Sequence, residues 1–216
     1  MDKSNISIGK LREKIKNDSP KIIYISGKTC TGKSTFARSL KEFGYEHLEL
    51  DFLVHESVKD KFNIKDNGEA FKVYKGIAPI DWQNSFEFAT HKYILEKSKS
   101  SKIIVDAAIA TPEVLKKIFS DELSYFMFIY LHPFDQNFYY QCIFERFTND
   151  YKTKFRSFPL WDKATPEILE DFINNGEKSE KVMKIVRDYG DNSTKISTER
   201  FELFKKVYPN IILTGH

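Results

Sequence analysis

The 216-residue sequence predicts an α/β domain, a mostly parallel sheet with helices on both faces. Three observations predict it. Short apolar runs, rich in β-branched residues at 21–26 and 102–110 and in aromatics at 123–131, alternate with segments of helical periodicity. A glycine-bearing loop joins the first run to the first helical segment. Two acids, Asp51 and Asp106, stand at the ends of the next two strand candidates. In an open parallel sheet those ends form the ligand-binding edge.

Taken in order, Ile8, Leu11 and Ile15 have the spacing of a short leading helix. Residues 21–26, KIIYIS, read as a buried strand. After the loop, Phe36, Leu40 and Phe43 mark a helix that Gly44 ends. Residues 46–51 form the second strand candidate, with Asp51 at its carboxyl end. The stretch 52–100 is mixed. It carries turn signals at Asn67-Gly68, Gly76 and Pro79, and Asp81 is placed to cap a helix over 82–98. Residues 102–110 are the next strand, and Thr111-Pro112-Glu113 opens a helix. Another strand over 123–131 precedes a helix over 135–147 with Phe138, Ile143 and Phe147 on its apolar face. Residues 148–163 are basic and aromatic without a clean period. Thr165-Pro166-Glu167 starts further helices to about Tyr208, with interruptions expected near Gly176 and Gly190. Residues 210–214 form a last strand.

Composition narrows the classes. The length suits one domain, and 41% hydrophobic with 30% charged residues is ordinary for a globular chain. The net charge of +3 suits anionic small ligands and does not call for nucleic acid. No apolar run approaches the roughly 20 residues of a membrane helix, and the first twenty residues lack a signal-peptide core. Cys30 and Cys142 offer no disulfide framework and no zinc spacing, so a cytoplasmic setting is expected. The five histidines show no metal-ligand spacing, which leaves Mg²⁺ carried by a nucleotide as the expected metal.

The loop is Gly27-Lys28-Thr29-Cys30-Thr31-Gly32-Lys33-Ser34, which satisfies G-x-x-x-x-G-K-[ST] without a mismatch. Gly27 and Gly32 permit backbone conformations and close approach that a Cβ would hinder. The amides from Lys28 to Ser34 then cradle phosphates at a helix start. Lys33 is expected on the β- and γ-phosphates, the Ser34 hydroxyl on Mg²⁺, and Thr35 on the α-phosphate. Asp106, after an apolar strand, reads as a Walker-B-type support for Mg²⁺ or as a cap of the next turn. Asp51 reads as the carboxylate that orients and deprotonates an acceptor hydroxyl, or as a helix N-cap.

With GKTCTGKS, LELD ending at Asp51 and IIVD ending at Asp106, the sequence resembles P-loop kinases of the nucleoside/nucleotide kinase superfamily, which also includes shikimate, gluconate and dephospho-coenzyme A kinases. The resemblance is one of layout over most of the chain and is sharp only at the first motif. It implies a three-layer fold with a five-stranded parallel sheet of order 2-3-1-4-5. It also implies an acceptor-binding insertion at about 52–100 and a lid at about 149–165. ATP with Mg²⁺ and a small-molecule phosphoryl acceptor follow from it. By position, Arg146 and Arg156 match the lid arginines that neutralise the transferring phosphoryl group. Arg187 and Arg200 match residues near the adenine base.

The segment 52–100 departs from the family, because it contains no arginine to hold an acceptor phosphate. Lysines 59, 61, 65, 72 and 75, with His55, would have to serve there, and Phe62, Phe71, Tyr74 and Trp82 offer stacking or core surfaces. A GTPase would need an N-K-x-D guanine reader, which the sequence lacks. An ATP-binding regulatory module, a polynucleotide kinase and a toxin-type sugar-nucleotide kinase share the same core layout and stay open. Cys30, inside the loop, also raises the expectation of a thiol whose modification blocks nucleotide binding.

Overall fold

The computed structural model describes residues 6–65, 73, 88–107, 126–153 and 159–215, with the backbone alone at 51, 54, 55, 88–91, 153 and 159. Five strands form one sheet: β1 (Ile22–Gly27), β2 (Tyr45–Glu49), β3 (Lys102–Asp106), β4 (Phe126–Leu131) and β5 (Ile212–Thr214). Their spatial order is β2-β3-β1-β4-β5 and every pairing is parallel. This is the expected order. Every residue of central β1 is buried, as a strand flanked by two others and covered on both faces must be.

Strand alternation divides the core in two. Ile23 and Ile25 face α1 (Ile8–Asp18) and α2 (Lys33–Ser39), packing with Leu11, Ile15, Phe36 and Leu40. Ile22 and Tyr24 face the other way, toward α3 (Leu50–Phe62), α4 (Phe88–Ser98) and the end of α7 (Glu180–Val207). There Phe128 meets Phe204 edge to face at 4.8 Å between ring centroids. Leu11 and Ile15 are fully buried, so the leading helix is part of the core.

A third cluster lies beside the sheet. It joins α5 (Gln136–Thr153), α6 (Pro166–Asn175), the first half of α7 and the 3₁₀ turn Pro159–Lys163. Phe147 stacks on Trp161 with centroids 4.3 Å apart and planes 15° apart. Thr165 caps α6 as expected, its side chain accepting from the Ile168 amide.

Two expectations are corrected. Asp51 does not end a strand. β2 stops at Glu49, which is in register with Asp106 at the end of β3, so the chain beyond has no strand to pair with. It turns at once into α3, driven by the full burial of Leu50, and Asp51 falls in that helix's first turn. Glu49, not Asp51, is the N-cap residue. Gly190 does not interrupt a helix either. It lies inside α7, where the Tyr140 ring from α5 comes so close that an added Cβ would sit 2.7 Å from it. The glycine serves interhelical approach, not termination. Of the anticipated lid, 149–153 are the last residues of α5 and 159–163 the 3₁₀ turn, while 154–158 lie outside the described residues.

Candidate active site

The loop from β1 to α2 has a backbone that its glycines make possible. Gly27 has φ +145° and its Cα lies under Leu131, so an added Cβ would be 2.5 Å from the Leu131 carbonyl oxygen. Gly32 has φ +83° and caps α2. Between them Cys30, a non-glycine, also adopts positive φ, at +66°. The Lys28 carbonyl is the hub of the turn. It accepts from the Thr31 hydroxyl at 2.8 Å and from Lys33 Nζ at 2.9 Å. Lys33, the first residue of α2, thus folds back over the loop.

Ser34 follows Lys33 and faces β3. Its hydroxyl donates a short hydrogen bond to Asp106 Oδ2. The two expected metal-supporting residues are therefore in direct contact across 72 residues of sequence. Asp106 is only 7% exposed. Burial pushes its carboxyl up, but the His47 ring, the Lys33 charge and the Ser34 hydroxyl outweigh burial and hold it below the usual 3.8. Asp106 is thus ionised at neutral pH despite its position.

His47 was missed as a site residue. Its side chain on β2 is 6% exposed, with Nε2 3.7 Å from Asp106 Oδ2 and Nδ1 4.0 Å from Glu49 Oε1. Only the parallel register, Glu49 opposite Asp106 and His47 opposite Ile104, brings it there, and no local motif announces that register. Tyr139 was also missed: from α5 its hydroxyl donates to the Thr29 carbonyl at 3.0 Å.

Cations converge on the loop. Burial lowers the Lys28 ammonium pKa, and the Arg200 and Lys33 charges lower it further. Arg200 on α7 is therefore close enough to Lys28 for the two charges to repel. The Arg187 charge acts on Tyr140, the residue whose ring lies against Gly190 between α5 and α7. Arg146 lies near enough to favour the Cys30 thiolate, yet its Nε is also 3.1 Å from Asp150 Oδ1 one turn along α5. Cys30 itself is half-buried and packs on the third cluster. Burial pushes its thiol up to about 12, so it lacks the activated thiolate that a reactive switch needs. Thr35 is exposed at the start of α2.

Several expected acceptor-side residues are not part of this picture. Arg156, Lys72, Lys75, Phe71, Tyr74 and Trp82, and the side chains of Asp51 and His55, lie outside the described residues. Lys59 pairs with Glu56 at 3.0 Å, and Phe62 is 48% exposed. Among the described residues no helix is long and apolar enough to cross a membrane.

No protein-family model and no curated protein sequence matches the chain. Among solved structures it is similar to a gluconokinase from Sinorhizobium meliloti 1021, with a TM-score of 0.45 and 14% identity over 90% of this chain and 81% of that one. It is also similar to a shikimate kinase from Acinetobacter baumannii, solved in complex with shikimate, with a TM-score of 0.39 and 15% identity over 91% of this chain and 83% of that one. The architecture rests on the observed strand order and pairing, and any argument about chemistry rests on the residues of the loop and of β3.

Proposed function

We propose that the chain is an ATP·Mg²⁺-dependent phosphotransferase acting on a small acceptor that bears a hydroxyl or phosphate group. The observation that carries this reading is the hydrogen bond from Ser34, in the phosphate loop, to Asp106, at the end of the neighbouring strand. A hydroxyl and an ionised carboxylate are hard oxygen donors, the kind Mg²⁺ takes alongside water and phosphate oxygens. When bound, the ion neutralises charge on the β- and γ-phosphates.

The chain's own groups divide the remaining work. The amides from Lys28 to Ser34 hold the phosphates, with Thr35 toward the α-phosphate. Lys33 exchanges the Lys28 carbonyl for phosphate oxygens, a move its flexible stem permits. Asp51, on the first turn of α3 just past the Glu49–Asp106 pairing, is assigned to the acceptor hydroxyl, to orient it and take its proton. Arg146 and Arg156 are assigned to the transferring phosphoryl group, where positive charge stabilises the equatorial oxygens and closure limits hydrolysis.

The test compares two variants by ATP-binding calorimetry and by acceptor-dependent ADP formation across a metabolite panel. Lys33→Ala is expected to weaken ATP binding about 10–100-fold, the value of a charge-assisted hydrogen bond or two. Asp51→Ala is expected to keep ATP binding and lose transfer by roughly 10²–10⁴-fold. Undiminished transfer by Asp51→Ala would remove that residue's role. Absence of ATP binding by the unaltered chain would remove the whole reading.

A further inference from the structure

His47 occupies a place that packing alone does not explain. It lies on the edge strand β2, yet its side chain is almost fully enclosed, and so is that of Asp106, at 6% and 8% exposed. Its Nε2 is buried and makes no hydrogen bond. A buried ring nitrogen without a partner is costly, and an aliphatic side chain would fill the same space without that cost. The nearest acceptor is Asp106 Oδ2 at 3.7 Å, the same oxygen that already accepts from Ser34. A shift of less than an ångström turns this approach into a hydrogen bond.

We propose that His47 is a positioning residue for Asp106, its Nε2–H serving as the second donor that fixes the carboxylate for the magnesium brought by the nucleotide. The inference rests on the reading of Ser34 and Asp106 as the metal-supporting pair. A carboxylate held by one hydroxyl can still rotate about its last torsion. One held from two sides, by Ser34 on α2 and His47 on β2, is fixed by two different elements. Partners that orient a metal-binding carboxylate in this way contribute about 10–100-fold to metal affinity.

The experiment measures ATP affinity of the full chain by calorimetry in saturating Mg²⁺ and again in EDTA. The ratio of the two reports what the metal adds. His47→Leu is expected to reduce that ratio about 10-fold and to leave the EDTA arm nearly unchanged. His47→Gln places an amide N–H close to the position of Nε2 and is expected to restore most of the ratio. The proposal is overturned if His47→Leu keeps the full ratio. It is overturned equally if both arms weaken together, which marks a purely structural role, or if Gln does no better than Leu. A wild-type ratio of one overturns this inference together with the metal-supporting role of Ser34 and Asp106. A wild-type ratio well above one that the Leu variant keeps overturns the role of His47 alone.

Discussion

The phosphate loop and the aromatic cluster beside it reach rigidity by opposite means. The loop has three residues at positive φ within six positions, and one carbonyl, that of Lys28, collects its side-chain donors. The cluster is regular helix filled with rings, Phe147 on Trp161 and Phe172 edge-on to Phe147 at 5.6 Å. The two meet at Cys30, which packs on the cluster, and at Tyr139, whose hydroxyl holds the Thr29 carbonyl. On the proposed reading the loop must leave its amides free for a polyanion. Beyond the few bonds gathered on the Lys28 carbonyl it has little hydrogen bonding of its own to spare, and it leans on apolar packing supplied from elsewhere.

That contrast can be broken from either side. The largest effect on stability is expected on the cluster side. Phe147 is fully buried, and Phe147→Ala should cost about 3–5 kcal/mol in denaturant unfolding while the folded fraction keeps its ATP affinity within a few-fold. Loss of ATP binding by the folded protein would mean that the loop depends on the cluster more than two contacts imply. On the loop side, Gly27→Ala meets both a φ of +145° and the Leu131 carbonyl. It should cost about 1–3 kcal/mol of stability and lower ATP affinity at least tenfold, the reverse weighting of the cluster variant.

The smallest effect concerns charge. Lys28 is cationic below its pKa, and burial with the Arg200 and Lys33 charges lowers that pKa from 10.5. A bound polyphosphate favours the cationic form, so binding raises the pKa again and takes up a proton where Lys28 has begun to lose it. ATP affinity should thus be flat near neutral pH and fall as pH rises through the lowered value, before an ordinary lysine would titrate. The slope should not exceed about tenfold per pH unit, and Lys28→Arg should abolish the fall. Calorimetry across alkaline pH measures both.

The expected features that the structure bears out are mostly local ones. The alternation of apolar runs with helical periods specified a parallel sheet, and the glycine spacing specified the loop, because both depend on near neighbours in the chain. The end of β2 was misjudged because Leu50 and Asp51 continue an apolar-polar alternation. What ends the strand is the length of its partner β3, a non-local fact. Gly190 was misjudged for a similar reason: glycine usually punctuates a helix, but here it makes room for Tyr140 from a helix far away in sequence.

By itself the sequence determined that the protein has a glycine-bearing G-x-x-x-x-G-K-S loop between a buried strand and a helix, with an acid at the end of a later strand. Those follow from backbone stereochemistry and periodicity, which act over a few residues. Only the tertiary structure decided which groups stand around that acid. Ser34 reaches Asp106 because β1 and β3 are neighbours in the sheet. His47 reaches it because β2 pairs with β3 in one particular register, and Tyr139 reaches the loop because α5 packs beside it. The physical reason is that register and packing are fixed by burying both faces of the sheet at once, a condition met by the whole chain and by no segment of it.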